Sequence, residues 1–278
     1  MHKSGQRRHI VSKIQDAVDL LSSQGAQIIS LGGYTSILTN NGLSLVESNG
    51  ARIITGNTLT AASGLMHLEQ FIRKKPEFNK PNTIAIIGST GNIGKIITKI
   101  LYEKDDICSE LLLVSRTEKR DIELINEILK DKNDKINVRR TDNLFEVKDA
   151  DVIVICSNTN DPIIFKHHIA HNKPVLISDL SIPTAVSEEV TTLPNVTVLP
   201  FSAYVSLVED KDAVISSFSQ AGTVFCCAGE GILLALENYD GPLKGKITLE
   251  AVKEITRLAS KYGFFHNINT VQSYKSAK

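Results

Sequence analysis

The chain has 278 residues, 42% of them hydrophobic, and its formal net charge is +0 at pH 7. This length allows one large domain or two modest ones, and the balanced charge excludes the strongly basic surface of a nucleic-acid-binding protein. The four cysteines show neither metal-ligand nor disulfide spacing, which predicts a reducing, cytoplasmic setting. The apolar runs are too short to cross a bilayer, so we expect no stable membrane insertion.

The first third of the chain predicts a small α/β region. Apolar residues recur at helical spacing before Gly25, and short apolar runs followed by glycines are typical of buried strands. Pro76 and Pro81 predict a linker, so residues 1–80 are assigned to the N-terminal part of a smaller α/β substrate domain. Its predicted elements are a helix at 9–24, strands at 26–31 and 51–54, and a helix from Thr58 to about Lys75.

From Thr83 onward, strand and helix patterns alternate. This alternation predicts an α/β fold with a doubly wound parallel sheet of the Rossmann type, over residues 81–205. Strand signals stop after about residue 205, and residues 206–278 are expected to return to the substrate domain as helices at 219–238 and 248–262. The elements predicted for the Rossmann domain are strands at 83–88, 110–115, 136–140, 151–156, 174–179 and 195–199, and helices at 92–104, 118–130 and 162–170.

A glycine-rich turn follows the first strand of this predicted domain. Its sequence is G-x-x-G-x-x-G, and it opens a helix within a strand–helix–strand unit. The glycines permit a tight turn, close approach to a pyrophosphate and close helix packing, and the helix N-terminus attracts phosphate. The pattern predicts a dinucleotide site formed by Gly88, Ser89, Thr90, Gly91, Asn92, Ile93 and Gly94.

The end of the second predicted strand indicates which dinucleotide binds. NAD sites usually place an acid there, whereas this chain has Ser115, Arg116 and Thr117. A guanidinium and hydroxyl groups suit a 2′-phosphate, so we predict NADPH as the cofactor. The alternative is that Arg116 is an ordinary surface charge and the site accepts either cofactor.

Small polar residues end two further predicted strands. Ligands of open α/β sheets bind at the carboxyl ends of the strands, so these residues are expected to line the ribose and nicotinamide. They are Ser157, Asn158, Leu180, Ser181 and Pro183.

A candidate nucleophile lies near the start of a later helix. Cys226 and Cys227 begin an apolar, glycine-containing segment, where a helix N-terminus would stabilise a thiolate. Such a thiolate could form an acyl-enzyme that a hydride donor then reduces; the alternative is that both cysteines are core residues. The hydroxyl- and glycine-rich strand ends of the first third are substrate-binding candidates or ordinary turns, and their residues are Gly33, Thr35, Ser36, Asn57 and Thr58.

Taken together, several segments resemble the cyanobacterial long-chain acyl-[acyl-carrier-protein] reductases. The matching segments are Leu31–Ile37, Thr55–Ala61, Gly88–Gly94, Leu111–Arg116, Phe225–Leu234 and Lys261–Phe264. The resemblance implies an NADPH-dependent enzyme that reduces an acyl thioester of carrier protein or coenzyme A to a fatty aldehyde. It also implies that Cys227 carries the acyl group and that an acyl-carrier protein is a partner, and it leaves homo-oligomerisation open. No metal is expected, because no third ligand is apparent beside His167 and His171.

Two other functions stay open from the sequence. The turn Asp179–Pro183 departs from that family and is similar to glutamyl-tRNA reductases, which favours a shikimate-dehydrogenase-like or glutamyl-tRNA-reductase-like NADP oxidoreductase with a small substrate. A non-catalytic NADP-binding protein is the third reading, because the chain has only 30 residues before Leu31, fewer than the acyl-carrier-protein reductases have.

Overall fold

The computed structural model describes residues 2–78, 81–104, 107–131, 136–199, 204–206, 222–241 and 244–264. The helices are α1 (His2–Ser23), α2 (Tyr34–Leu38), α3 (Asn57–Lys74), α4 (Asn92–Tyr102), α5 (Glu118–Ile128), α6 (Glu188–Thr191), α7 (Cys226–Leu236) and α8 (Leu249–Lys261). The strands are β1 (Ile28–Ser30), β2 (Arg52–Ile54), β3 (Thr83–Ile87), β4 (Glu110–Val114), β5 (Asn137–Thr141), β6 (Val152–Ile155), β7 (Val175–Asp179), β8 (Val196–Leu199), β9 (Tyr204–Ser206) and β10 (Thr223–Phe225). None of the described helices combines the length and the apolarity needed to cross a membrane.

Two compact units divide the chain, and the division falls inside α3, between Thr60 and Ala61. The discontinuous unit holds the described residues up to Thr60 together with those from Tyr204 onward. The Rossmann unit holds the described residues from Ala61 to Leu199, the end of β8.

The Rossmann unit contains a six-stranded parallel sheet, in the order β5-β4-β3-β6-β7-β8. Every residue of β3 and β6 is buried, as expected for central strands whose two faces are both covered. The strand order reverses between β3 and β6, and such a switch point is where ligands bind at the carboxyl edge of the sheet. The predicted α/β fold class with a parallel Rossmann sheet is therefore confirmed.

One predicted helix of this unit is wrong. In place of a helix at 162–170, only Lys166–His168 form a turn of 3-10 helix. Ile164 instead forms an isolated parallel bridge with Val186, and the N–H of Phe165 donates to Nδ1 of His168 over 3.1 Å. These bonds to a neighbouring segment and to a side chain replace the i to i−4 bonds of a helix.

The discontinuous unit is built around the two-stranded parallel sheet β1-β2. Ile29 and Ile53 face each other in register and belong to a buried apolar cluster with Val18 of α1. On α7, a Cβ added at Gly231 would lie 3.5 Å from Cδ1 of Ile54. Helix α7 therefore packs on this sheet at a distance where a methyl group at position 231 would make ordinary van der Waals contact.

Two short elements of this unit differ from the sequence-based expectation. β9 and β10 form an antiparallel pair, so strands do occur after residue 205. Consequently, α7 begins at Cys226 rather than at 219, and residues 219–221 lie outside the described ranges. Three-residue strands offer too little alternation to be recognised in a sequence.

Candidate functional site

The glycine-rich turn connects β3 to α4 in the Rossmann unit. Gly88 has a φ of +80°, and a Cβ on it would lie 2.6 Å from the carbonyl oxygen of Cys156. A Cβ on Gly94 would lie 2.2 Å from the carbonyl oxygen of Gly88. Only glycine fits at these two positions, so the turn keeps its backbone uncovered beside the ends of β3 and β6.

These residues fit a dinucleotide. Gly91 is exposed and is the N-cap of α4. Because glycine has no side chain, this N-cap makes no side-chain hydrogen bond to the start of the helix. The backbone at the start of α4 can therefore meet a pyrophosphate without an intervening side chain. Thr90, Asn92 and Ile93 are partly exposed around this turn, whereas Ser89 is buried.

The turn after β4 holds the predicted 2′-phosphate residues. Arg116 and Thr117 are exposed. Ser115 is half-buried, and its hydroxyl donates to Oδ2 of Asp121 over 2.7 Å while accepting from the Thr117 N–H over 3.2 Å. The single hydroxyl hydrogen of Ser115 is thus engaged inside the protein, which leaves Arg116 and Thr117 as the outward donors.

The ends of β6 and β7 bring further predicted residues together. The Oγ atoms of Ser157 and Ser181 lie 3.4 Å apart, and Asn158 is exposed beside them in sequence. The side chain of Leu180 is buried, and a Cβ added at Gly64 of α3 would lie 2.7 Å from its Cδ2. Pro183 is exposed and follows a cis peptide bond.

Cys227 lies at the start of α7 in the discontinuous unit and is partly buried. Its carbonyl oxygen accepts a hydrogen bond from Oγ of Ser30, and its Sγ would lie 3.6 Å from a Cβ added at Gly32. A Cβ on Gly56 would lie 2.2 Å from Cα of Cys227. The two glycine-containing strand ends of the first third therefore close around this cysteine.

The sequence predicted a stabilised thiolate at Cys227, whereas the structure favours the protonated thiol. Burial raises the pKa of the Cys227 thiol above its ordinary value, and the negative charge of Glu230 raises it further. Hydrogen bonds from the backbone of Ala228 and of Cys227 itself lower it. The N-terminus of α7 therefore offsets only part of the cost of burial.

Glu230 is a buried carboxyl group one helical turn after Cys227. Its Oε2 accepts the N–H of Leu59 over 2.7 Å, and Thr58 contributes backbone and side-chain hydrogen bonds. Glu230 thus caps the first turn of α3 from α7. Burial raises its pKa to about 7, although the hydrogen bonds from Leu59 and Thr58 lower it.

The remaining predicted substrate residues also lie in the discontinuous unit. The hydroxyl of Thr35 donates to the carbonyl oxygen of Gly32 over 2.7 Å, and that of Ser36 donates to Gly33 over 3.3 Å. Gly33 is exposed with a φ of +52°, and Asn57 is partly exposed at the start of α3. The hydroxyls of Thr35 and Ser36 are thus used within the turn that opens α2.

Two buried acids were missed by sequence reasoning as site residues, although each has a sequence signal. Glu230 is the only charged residue of α7. Asp121 is 0% exposed and occupies the buried face of α5 with Leu124 and Ile128, a face whose helical spacing is otherwise apolar. An acid at a core position of an amphipathic helix indicates a buried polar contact.

Glu230 gives the stability of the protein a measurable pH dependence. Its pKa is about 7 in the folded protein against 4.5 ordinarily, so the folded state retains a proton that the unfolded chain releases. The stabilisation is complete below about pH 4.5 and is lost as pH rises to about 7, in total about 3 kcal/mol. We expect Glu230→Gln to lack this loss in denaturant unfolding measured between about pH 4 and 8. Parallel curves for wild type and variant would contradict it.

One protein-family profile matches a range that covers most of the Rossmann unit. Residues 71–202 match the profile of the family described as "Shikimate / quinate 5-dehydrogenase". The matched range covers the glycine-rich turn and the turns after β4, β6 and β7. The matched residues are thus similar to the cofactor-binding part of NAD(P)-dependent oxidoreductases.

Several curated proteins are similar to parts of this chain. Glutamyl-tRNA reductase 2 of Flavobacterium johnsoniae is 30% identical over 57% of this chain and 34% of its own length. Glutamyl-tRNA reductase of Christiangramia forsetii is 31% identical over 53% of this chain and 33% of its own length. Aminotransferase PigE of a Serratia species is 29% identical over 34% of this chain and 11% of its own length. The chain thus spans only about a third, or less, of these relatives.

These matches correct the family resemblance drawn from the sequence. Assignment to the cyanobacterial acyl-[acyl-carrier-protein] reductases, with reduction of an acyl thioester to a fatty aldehyde, is wrong, because the chain matches the shikimate-dehydrogenase profile and glutamyl-tRNA reductases instead. The glycine-rich turn and the end of β4 contributed to this wrong assignment, because dinucleotide-binding domains of many families share such segments. The carrier-protein partner rested on that resemblance alone. The predicted NADP(H) cofactor is confirmed.

Proposed function

We propose that this protein is an NADP(H)-dependent oxidoreductase of the shikimate-dehydrogenase and glutamyl-tRNA-reductase type, which transfers hydride between the cofactor and a carbonyl carbon of a small substrate. The observation that carries the proposal is the uncovered glycine-rich turn within residues that match the shikimate-dehydrogenase profile. The glutamyl-tRNA reductases among the relatives support it.

Each predicted contact residue of the Rossmann unit has a part in this proposal. Residues 88–94 hold the pyrophosphate on the start of α4. Arg116 and Thr117 bind the 2′-phosphate, for which their exposure at the carboxyl end of β4 is the support. Ser157, Asn158, Leu180, Ser181 and Pro183 border the ribose and the nicotinamide, and NADPH supplies the hydride when bound.

The discontinuous unit provides the substrate contacts in this proposal. Gly33, Thr35, Ser36, Asn57 and Thr58 border the substrate, and Cys227 is the reactive thiol. The support for Cys227 is its partial exposure at a helix start that two glycine-containing strand ends approach closely. A dependence on this thiol distinguishes the glutamyl-tRNA-reductase type from a shikimate-dehydrogenase type, which needs no cysteine.

The proposal predicts that turnover depends on Cys227. With NADPH and a panel of small carbonyl substrates, Cys227→Ala should lower kcat at least about 1000-fold, because the nucleophile is removed. Calorimetric NADPH affinity should stay unchanged, since Cys227 belongs to the other unit. The matched control is Cys226→Ala, which removes the neighbouring, buried thiol and should retain turnover.

A second assay separates the alternatives. NADP with shikimate and quinate as hydroxy-acid substrates tests the shikimate-dehydrogenase type by the absorbance of the reduced nicotinamide. If the Cys227→Ala variant still oxidises shikimate or quinate at the wild-type rate, this would contradict the role of the thiol. Tight NADPH binding without turnover on either panel would contradict the enzymatic proposal and favour a cofactor-binding protein.

A further inference from the structure

Asp121 joins two turns of the Rossmann unit through one buried carboxylate. Its side chain is 0% exposed. Oδ1 accepts the hydroxyl of Ser89 over 3.0 Å, and Oδ2 accepts the hydroxyl of Ser115 over 2.7 Å. Both carboxylate oxygens are therefore engaged by hydroxyl groups from outside α5.

The two serines belong to the two phosphate-binding turns of the proposed cofactor site. Ser89 is the second residue of the glycine-rich turn, and Ser115 is the first residue after β4. Ser115 also accepts the N–H of Thr117 over 3.2 Å, and its own N–H donates to the carbonyl oxygen of Thr141 over 3.1 Å. The path from Thr117 through Ser115 and Asp121 to Ser89 is a continuous chain of hydrogen bonds.

A cation on the neighbouring strand faces this carboxylate. Nε of Arg140 lies 3.6 Å from Oδ2 of Asp121, and its Nη1 lies 3.2 Å from Oε1 of Glu118. Arg140 therefore offsets the negative charge of Asp121.

The position of Asp121 differs from that of the acid in an NAD site. An acid exposed at the end of the second strand accepts the ribose 2′-OH and repels a 2′-phosphate. Asp121 instead receives its hydrogen bonds from two serines beneath the surface, so it cannot take the ribose hydroxyl. A buried, fully hydrogen-bonded carboxylate fixes the groups that surround it.

The geometry points to Asp121 as a positioning residue that sets the preference of this protein for NADPH over NADH. Through Ser115 it holds the backbone at Thr117 and the adjacent Arg116 in place for the 2′-phosphate. Through Ser89 it holds the glycine-rich turn for the pyrophosphate, which both cofactors share. The inference rests on the proposed function, because it assigns these two turns to NADP(H).

The test measures the Kd of the full chain for NADPH and for NADH by calorimetry. Asp121→Ala should raise the Kd for NADPH about 20-fold and that for NADH about 4-fold, since both turns lose their anchor. Ser89→Ala should raise both constants equally, about 4-fold, and Ser115→Ala should raise only that for NADPH, about 5-fold. The preference for NADPH then falls about 5-fold in the Asp121 and Ser115 variants alone.

Two further variants distinguish positioning from a loss of folding. Asp121→Asn keeps one acceptor oxygen and the shape of the side chain, so it should restore most of the lost preference. Combining Asp121→Ala with Ser115→Ala should lower the preference no further, because both changes break the same link. The matched control is Glu123→Ala, which removes an exposed acid of α5 and should leave both constants within about 2-fold.

The outcomes separate this inference from the proposed function. A wild-type chain that binds neither cofactor would overturn both. A wild type that prefers NADPH, with Asp121→Ala keeping the same preference, would overturn the role of Asp121 alone. If Asp121→Ala does not fold, Ser115→Ala carries the test, and an unchanged preference in that variant would overturn the role of Asp121 equally.

Discussion

Replacing Gly91 with aspartate should weaken NADPH binding at least about 100-fold, which is about 3 kcal/mol. Gly91 is exposed, is the N-cap of α4 and has a φ of −71°, which any residue adopts. A carboxylate there would lie at the helix start that binds the pyrophosphate, where like charges repel and the phosphate is displaced. Calorimetry with NADPH measures the effect.

The matched control for Gly91→Asp is Ser109→Asp. Ser109 is exposed and directly precedes β4, so the Ser109→Asp variant adds the same charge at the amino end of a sheet strand. We expect it to leave the Kd for NADPH within about 2-fold. A Cβ at Gly91 would approach the carbonyl oxygen of Gly88 to 3.2 Å, so a thermal unfolding scan accompanies both variants. Equal weakening by both would refute the assignment of the pyrophosphate to this turn.

Gly56→Ala should lower the free energy of unfolding by about 4 kcal/mol. The added Cβ would lie 2.2 Å from Cα and 2.3 Å from Cβ of Cys227, and neither atom can move without shifting α7. Gly56 also has a φ of +70°, which is unfavourable for alanine. Denaturant unfolding of the variant and the wild type measures the loss.

Gly50→Ala separates the clash from the backbone conformation. Gly50 has a φ of +77° in the same unit, and nothing lies within 4 Å of a Cβ added there. We expect it to cost about 1 kcal/mol, the part due to the left-handed conformation alone. If both alanine variants lose the same free energy of unfolding, α7 does not pack closely enough on the turn at Gly56 to exclude a Cβ.

The sequence predicted the Rossmann unit well because its signals are local. The apolar runs of β3, β4 and β6 are bounded by turns, and the glycines at 88, 91 and 94 form a pattern within one short segment. The segment 162–170 was misread because an apolar run with polar neighbours suits either a helix or an extended segment. Its bonds to residues near Ala185 are long-range and leave no local pattern.

The discontinuous unit was harder to predict for the same reason. The contact between Gly56 and Cys227 and the hydrogen bond between Leu59 and Glu230 each join residues 171 positions apart. Sequence reasoning placed Cys227 near a helix start but predicted a stabilised thiolate, because burial and the charge of Glu230 are tertiary properties. Asp121 was overlooked because its partners, Ser89 and Ser115, come from two different turns.

The division of one unit between the two ends of the chain has a consequence for synthesis on the ribosome. The hydroxyl of Ser30 bonds to the carbonyl oxygen of Cys227, which emerges 197 residues later. β1 and β2 are therefore synthesised well before α7, the helix that covers them. The entire Rossmann sheet is translated, and is free to fold, in between. During that interval the face that α7 later covers is available to chaperones, and a nascent chain released early would expose it permanently.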